Sequence, residues 1–243
     1  MTSSDLHLEY LTSSPGRRMD QVVEAIRIAI DAGRMKPDVK YSVYQLAEQL
    51  GVSRTPVRDA LLTLEEAGVI RFEARRGFYI LLPHPREIAD IFAVRLALEL
   101  PAVRRTAVNA TAAVHEVLSK RMQLMRSALA TGDEKSFAVH DLLLHDHMLE
   151  CAGNARSRTI VAGLRKSTRL LGVSTADRSR SLTDIDNEHI PIIEAVVAGR
   201  ADDAVEAMRI HLVTTGQLLV AQAAREQGFV ELDVDRIWAD AVD

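Results

Sequence analysis

A chain of 243 residues, 47% hydrophobic and 26% charged, can bury one large core or two small ones. No run approaches the roughly 18 apolar residues of a membrane-spanning helix, the N-terminus MTSSDLHLEYLTSSPGRR lacks the positive-then-apolar layout of a secretory signal, and the single cysteine, Cys151, excludes an internal disulfide. These features predict a cytoplasmic protein with no membrane contact and a disordered tail over residues 1–16. The net charge of −4 excludes a uniformly basic nucleic-acid binder, but the acidic excess lies in residues 83–243, with 19 Lys+Arg against 23 Asp+Glu; residues 1–82 carry 11 of each. Phosphate contact by the first part therefore depends on local placement of charge.

In residues 17–82, Val22, Val23, Ile26 and Ile30 recur at helical spacing between Met19 and Ala32, and Gly33 follows where a C-terminal cap belongs. A turn-rich link, MKPDVKYS, leads to Ser42 with Gln45 three residues on, the capping-box pattern of a helix start. That short helix, 43–50, stops at Gly51; a third runs from about Ser53 to Ala67 with Pro56 tolerated in its first turn. The stretch VIRFEARRGFYILL then alternates around an Arg-Arg-Gly turn and predicts a two-stranded hairpin.

On the wheel of the third helix, Val57, Ala60, Leu61 and Leu64 share one face, and Arg54, Thr55 and Arg58 fall to its side near the N-terminal end. A helix packed on Leu46 and Leu50 projects those arginines outward at its start, the geometry of a helix-turn-helix recognition helix. A guanidinium fork suits guanine edges, and Ser53 and Thr55 suit phosphate oxygens. Two arginines on one exposed face are equally compatible with simple solvation; the preceding helix and the following basic turn favour DNA.

The segments QLAEQLGVSRTPVRDALLTLEEAGVI and ARRGFYIL resemble the winged helix-turn-helix of the GntR transcriptional regulators. The resemblance implies that Arg54 and Arg58 read bases, that Ser53 and Thr55 contact the backbone or base edges, and that Arg76 and Gly77 form a wing tip entering the minor groove. Three positions depart from the family pattern. Asp59 replaces a glutamate, Asp38 a glycine after Pro37, and Tyr44 stands where the fatty-acid-responsive member has a DNA-contacting arginine, so the operator sequence is not transferable.

Residues 83–228 read as helices throughout, over 86–108, 111–130, 133–151, 155–173, 183–198 and 201–226, separated by breaks such as TGD, AGN and AGRADD. They predict an all-α antiparallel bundle, so the whole chain is mainly α with one small β-hairpin. STADRSRSLTDID is the longest polar break and suits a loop over a site; residues 229–243 read as a C-terminal tail.

Polar residues on the apolar faces are the informative ones. Phe137, Leu144 and Met148 set the inward stripe of the third bundle helix, with Asp141 within it and His145 at its edge. His189 falls with Ile193 and Val196, and His211 beside Ala204, Met208 and Thr215, whereas His140 and His147 lie on the opposite flank. A buried carboxylate needs a partner, and three imidazoles with one carboxylate suit a divalent transition metal; a self-satisfied Asp–His pair is the plainer alternative. Pro191, two residues after His189, predicts a helix that starts late or kinks.

This region is similar to the FCD ligand-binding domain of the FadR subfamily through RLALE (95–99), DLLLH (141–145) ahead of Gly153-Asn154, His189 in NEHIPIIEA and His211 in AMRIHL. The resemblance implies a divalent ion, zinc first and nickel or manganese next, on Asp141, His145, His189 and His211. It also implies a small organic acid effector held by Arg95, and a homodimer on double-stranded operator DNA. The function so implied is a DNA-binding transcription regulator of the repressor type rather than an enzyme. A sensor of the ion itself and a metal-dependent hydrolase with an ion-activated water are the alternatives.

Overall fold

The computed structural model describes residues 17–73, 77–170, 175, 179–229 and 233–242; the expected tail 1–16, Arg76 of the wing and residues 171–173 of the expected fourth bundle helix lie outside them. The described chain divides into two compact units, one of residues 17–83 and 166–170, the other of 84–165 with the described part of 174–243.

The first unit contains α1 (Arg18–Asp31), β1 (Lys40–Tyr41), α2 (Val43–Leu50), α3 (Arg54–Glu66), β2 (Ile70–Glu73) and β3 (Gly77–Ile80). Ser42 caps α2 by accepting from the Gln45 N–H, and Gly51 ends it in the left-handed region at φ 66°. Fully buried Val22, Ile26, Leu46, Leu50, Val57, Leu61, Leu64 and Phe78 join the three helices to the sheet in one core. The sheet has three strands in the order β1-β3-β2, all antiparallel, where the sequence predicts two. The missed strand lies in the link read as turn. It is two residues long, and Tyr41 is fixed there by its ring against Phe78 at 5.8 Å and its hydroxyl accepting from the Lys36 N–H at 2.7 Å.

Two backbone positions explain residue choices in this unit. Asp38 sits at φ 59°, the left-handed conformation glycine adopts freely and aspartate tolerates; this accounts for the glycine expected at that place. Gly77 opens β3 at φ 122°, and a Cβ there would overlap the Tyr41 carbonyl oxygen. The glycine is therefore required by the join of β1 to β3, a reason that exists without DNA.

The second unit is a bundle of α4 (Pro85–Val108), α5 (Ala112–Thr131), α6 (Glu134–Cys151), residues 155–165 of α7 (Ala155–Leu170), α8 (Leu182–Val197) and α9 (Ala201–Glu226), with α10 (Val234–Val242) added. Helix α4 packs on α6, α8, α9 and α10, and α5 packs on α6 and α8. His84 starts α4 with a complete capping box to Glu87, giving a purpose to a histidine that has no pattern in the sequence. Ser181 and Asp184 cap α8, so the second half of the expected polar loop is helix. Helix α8 starts at Leu182 and continues through Pro191, neither late nor ended at it.

The tail expected over 229–243 carries α10. Asp233 caps it by accepting from the Arg236 N–H, and Trp238 is buried with its ring centroid 6.2 Å from that of Phe92. The indole lies on Gly216 of α9, where a Cβ would overlap the ring and come within 2.8 Å of Phe92 Cγ. The mid-helix glycine makes room for the tryptophan.

Candidate functional site

Each unit holds one constellation. In the first, packing of Val57, Ala60, Leu61 and Leu64 inward leaves Ser53, Arg54, Thr55 and Arg58 exposed along the first turns of α3. Ser53 stands at the N-cap without making a side-chain cap bond, so its hydroxyl and the first N–H groups of α3 remain available to an anion. Tyr44 on α2 is exposed, and the Arg54 guanidinium lies 5.0 Å from its ring centroid. That cation–π contact holds Arg54 in place; it gives the tyrosine a positioning task that the sequence comparison with an arginine obscures. Gly77 is half-buried at the start of β3, opposite Glu73.

In the second unit α6, α8 and α9 bring His145, His189 and His211 together, one nitrogen of each within 4.8 Å of the others. All three are buried. Asp141, one turn before His145, places Oδ1 3.1 Å from His189 Nε2 and 3.9 Å from His145 Nε2. The wheel ranks Asp141 as more inward than His145, and the structure reverses this. His145 is 1% exposed and Asp141 is half-buried, because the α6 stripe turns toward Glu99 on α4.

The Nδ1 of every imidazole has an acceptor. His145 Nδ1 donates to Glu99 Oε2 at 2.6 Å, His189 Nδ1 to the Ile185 carbonyl at 2.7 Å and His211 Nδ1 to Glu188 Oε2 at 2.8 Å. Each bond puts the proton on Nδ1 and leaves the Nε2 lone pair free, the tautomer in which histidine binds metal, with the acceptor orienting the ring. The Nε2 atoms of His145 and His189 face each other at 3.4 Å. Two lone pairs repel there unless a proton or a cation lies between them, so the donor set fits a divalent ion.

Charged partners surround this cluster. Arg95 Nε donates to Glu99 Oε1 at 2.7 Å, Arg165 pairs with Asp141, and Arg180 pairs with Glu188 and donates to Thr215 Oγ1 at 2.8 Å. Burial would raise the Glu99 pKa, but the Arg95 guanidinium and the His145 ring outweigh it and hold the carboxyl well below the usual range. Asp141 behaves likewise: burial is outweighed by the Arg165 guanidinium, with the His189 ring beside it acting in the same direction. Burial, with Arg165 adding repulsion, pushes His145 down to about 4, and burial with the two neighbouring rings pushes His211 well below its ordinary value. The carboxylates are therefore charged, and His145 and His211 are neutral at pH 7.

Sequence reading leaves several participants without a role. Glu99 is visible in RLALE, four residues after Arg95, and is a buried carboxylate separate from the expected ligands. Arg165 lies one turn after buried Val161 on α7, a signal a wheel would have shown. Glu188 and Arg180 have no sequence signal, because Arg180 lies just before the α8 cap and reaches over the first turns of the helix to Glu188. Arg95 is linked to the cluster through Glu99, which bonds both Arg95 Nε and His145 Nδ1.

A winged helix-turn-helix followed by a helical bundle defines a class of DNA-binding transcription regulators. Residues 18–80 match the model for bacterial regulatory proteins, gntR family, and residues 90–214 match the FCD domain; the chain belongs to the GntR family and carries its FCD domain. It is 34% identical over 143 residues to an HTH-type transcriptional regulator from the TAR-I ttuE-ttuC' intergenic region of Agrobacterium vitis, covering 58% of this chain and 83% of that one. The gluconate operon transcriptional repressor of Bacillus subtilis is 27% identical over 181 residues, covering 72% of this chain and 74% of the repressor. Among solved structures, Escherichia coli McbR/YncC superimposes with a TM-score of 0.63 at 21% identity over 85% of this chain and 99% of that one, a likeness of fold. These relatives are regulators rather than enzymes. Among the described residues no helix is long and apolar enough to cross a membrane.

Proposed function

We propose that the chain is a homodimeric repressor whose operator affinity is set by a small carboxylate bound beside a divalent ion in the helical bundle. The observation that carries the reading is the set of three buried imidazoles, each with Nδ1 committed to an acceptor and Nε2 free. Asp141, His145, His189 and His211 would hold the ion; when bound, it supplies a Lewis-acid centre that fixes an anionic oxygen. Arg95 supplies a buried positive charge for the effector. The regulatory names of the relatives, one of them a gluconate operon repressor, support a small organic acid as signal. Two copies of α3 reading half-sites about one helical turn apart supply the specificity that one helix lacks.

Metal analysis of the purified full chain tests the site. About one divalent ion per chain is expected, falling with His211→Ala or His145→Ala, together with release from operator DNA by an organic acid only in the loaded protein. Wild-type protein that neither carries nor takes up a divalent ion would sink this reading, and release by chelator without any acid would favour the ion itself as the signal.

On the DNA side, Arg58→Ala is expected to weaken binding to an operator selected from random DNA by about 1–3 kcal/mol while leaving the fold intact. Tyr44→Ala, which frees Arg54, is expected to cost about 0.5–1 kcal/mol, and Tyr44→Phe less, since the ring face is retained. Fluorescence anisotropy on labelled operator reads all three; unchanged affinity in Arg58→Ala would remove α3 from base reading.

A further inference from the structure

We infer that the ligand beside the histidine cluster is a dianion, a small dicarboxylate or a phosphate monoester, and that Arg165 holds it together with Arg95; this rests on the metal-dependent reading above. Two independent observations support it, a pair of unmet hydrogen-bond donors and the balance of buried charge.

Arg95 uses Nε on Glu99, and its Nη2 is buried without a hydrogen-bond partner. Arg165 uses Nη2 on Asp141, and its Nε is buried in the same condition. Buried guanidinium N–H groups are normally satisfied. These two come from different helices, α4 and α7, and flank one cluster, Arg95 through Glu99 and His145, Arg165 through Asp141 and His189. A ligand with two anionic groups, or one with several anionic oxygens, answers both donors.

The charges agree. Arg95 with Glu99, Arg165 with Asp141 and Arg180 with Glu188 are internally neutral pairs. With the imidazoles neutral, as ligation requires, the protein groups contribute no net charge, so a divalent ion leaves two positive charges in an enclosed site. Unpaired buried charge is strongly disfavoured. A monoanion cancels half of it and a dianion all of it. The cleft of about 300 Å³ that reaches His211 from the α8–α9 side is lined by Glu188, Pro191, Asp203, Glu206, Ala207 and Ile210 and, among the described residues, offers no unpaired cation to an anion. The unmet donors for the anion are those of Arg95 and Arg165.

The test is calorimetric titration of the metal-loaded full chain at pH 8, where a phosphate monoester is doubly charged. The probes are malonate, succinate and methyl phosphate against their singly charged counterparts malonamate, succinamate and dimethyl phosphate, with metal content measured before and after. At least one dianion is expected to bind tenfold or more tightly than its counterpart, and which pair shows the preference separates carboxylate from phosphate. Arg165→Lys, which keeps the charge but loses the Nε donor, and Arg165→Met are expected to cut that preference at least threefold with the metal retained. Equal binding within every pair overturns the dianion and leaves the effector reading standing. An undiminished preference in both variants overturns the role of Arg165. Absence of metal, or of binding by any of these acids, defeats both readings.

Discussion

Glu99→Ala is expected to destabilise the bundle by about 3–5 kcal/mol, because it leaves the Arg95 guanidinium charged and buried without its counter-ion. Arg95 is 4% exposed, and Glu99 is its ion-pair partner. Burial lowers the Arg95 pKa, and the attraction of Glu99 offsets part of that fall. The same substitution frees His145 Nδ1, so metal affinity is expected to fall as well, typically 10–100-fold for loss of an outer partner. Urea unfolding of the wild type and variant, repeated across pH, checks the origin of the loss. The folded-state pKa of Glu99 is depressed, so its contribution is fully present above the unfolded value of about 4.3, declines below it and is lost as pH falls through the depressed folded value. The gap between the two proteins should therefore be full at neutral pH and narrow in acid; a gap that is small at pH 7 would mean that Arg95 finds other compensation.

Trp238→Ala is expected to cost about 3–5 kcal/mol, the usual range for emptying a buried aromatic site. The effect should be confined to the second unit and should loosen α10 first, since the indole is its buried residue; Arg86 Nη2 donating to the Asp240 carbonyl at 3.0 Å is a further tie. Phe92 packs on the indole and on Arg95, whose guanidinium is 4.7 Å from the Phe92 ring centroid, so weaker binding of the proposed effector should accompany the loss. Hydrogen exchange over residues 234–242 reads the first effect directly. Gly216→Ala is expected to act in the same direction, because its new methyl competes for the space of the indole. Protection of α10 unchanged in both variants would show that the helix is held by other contacts.

What the sequence makes legible is what is local. Helices α2 and α3 carry their own punctuation in Ser42, Gly51 and the spacing of Val57, Leu61 and Leu64, and the outward placement of Arg54 and Arg58 follows from that spacing alone. Asp141 and His145 can be paired because they lie one turn apart on an apolar stripe. Strand β1 is not legible: two residues have no periodicity, and their pairing with Tyr79 and Phe78 joins positions nearly forty residues apart. Helix α10 has a readable cap in Asp233, but its short apolar pattern gains force only from the slot at Gly216. The roles of Glu99, Arg165 and Glu188 are tertiary. A charged residue looks solvated on its own helix until the facing helix supplies a partner, and wheel analysis ranks faces without knowing which neighbour each will meet. Asp141 and His145 exchange rank for that reason.

The glycine that seats the indole also says what the bundle would recognise if the indole were taken away. With Trp238 cut back to alanine, a flat slot floored by a residue without a side chain and walled by Phe92 would have the outline of the lost ring, and apolar holes of that kind accept free aromatic molecules. Indole added to the solvent would then serve as a detached piece of the protein, restoring the packing of α4 and α9 without restoring the chain that carried it.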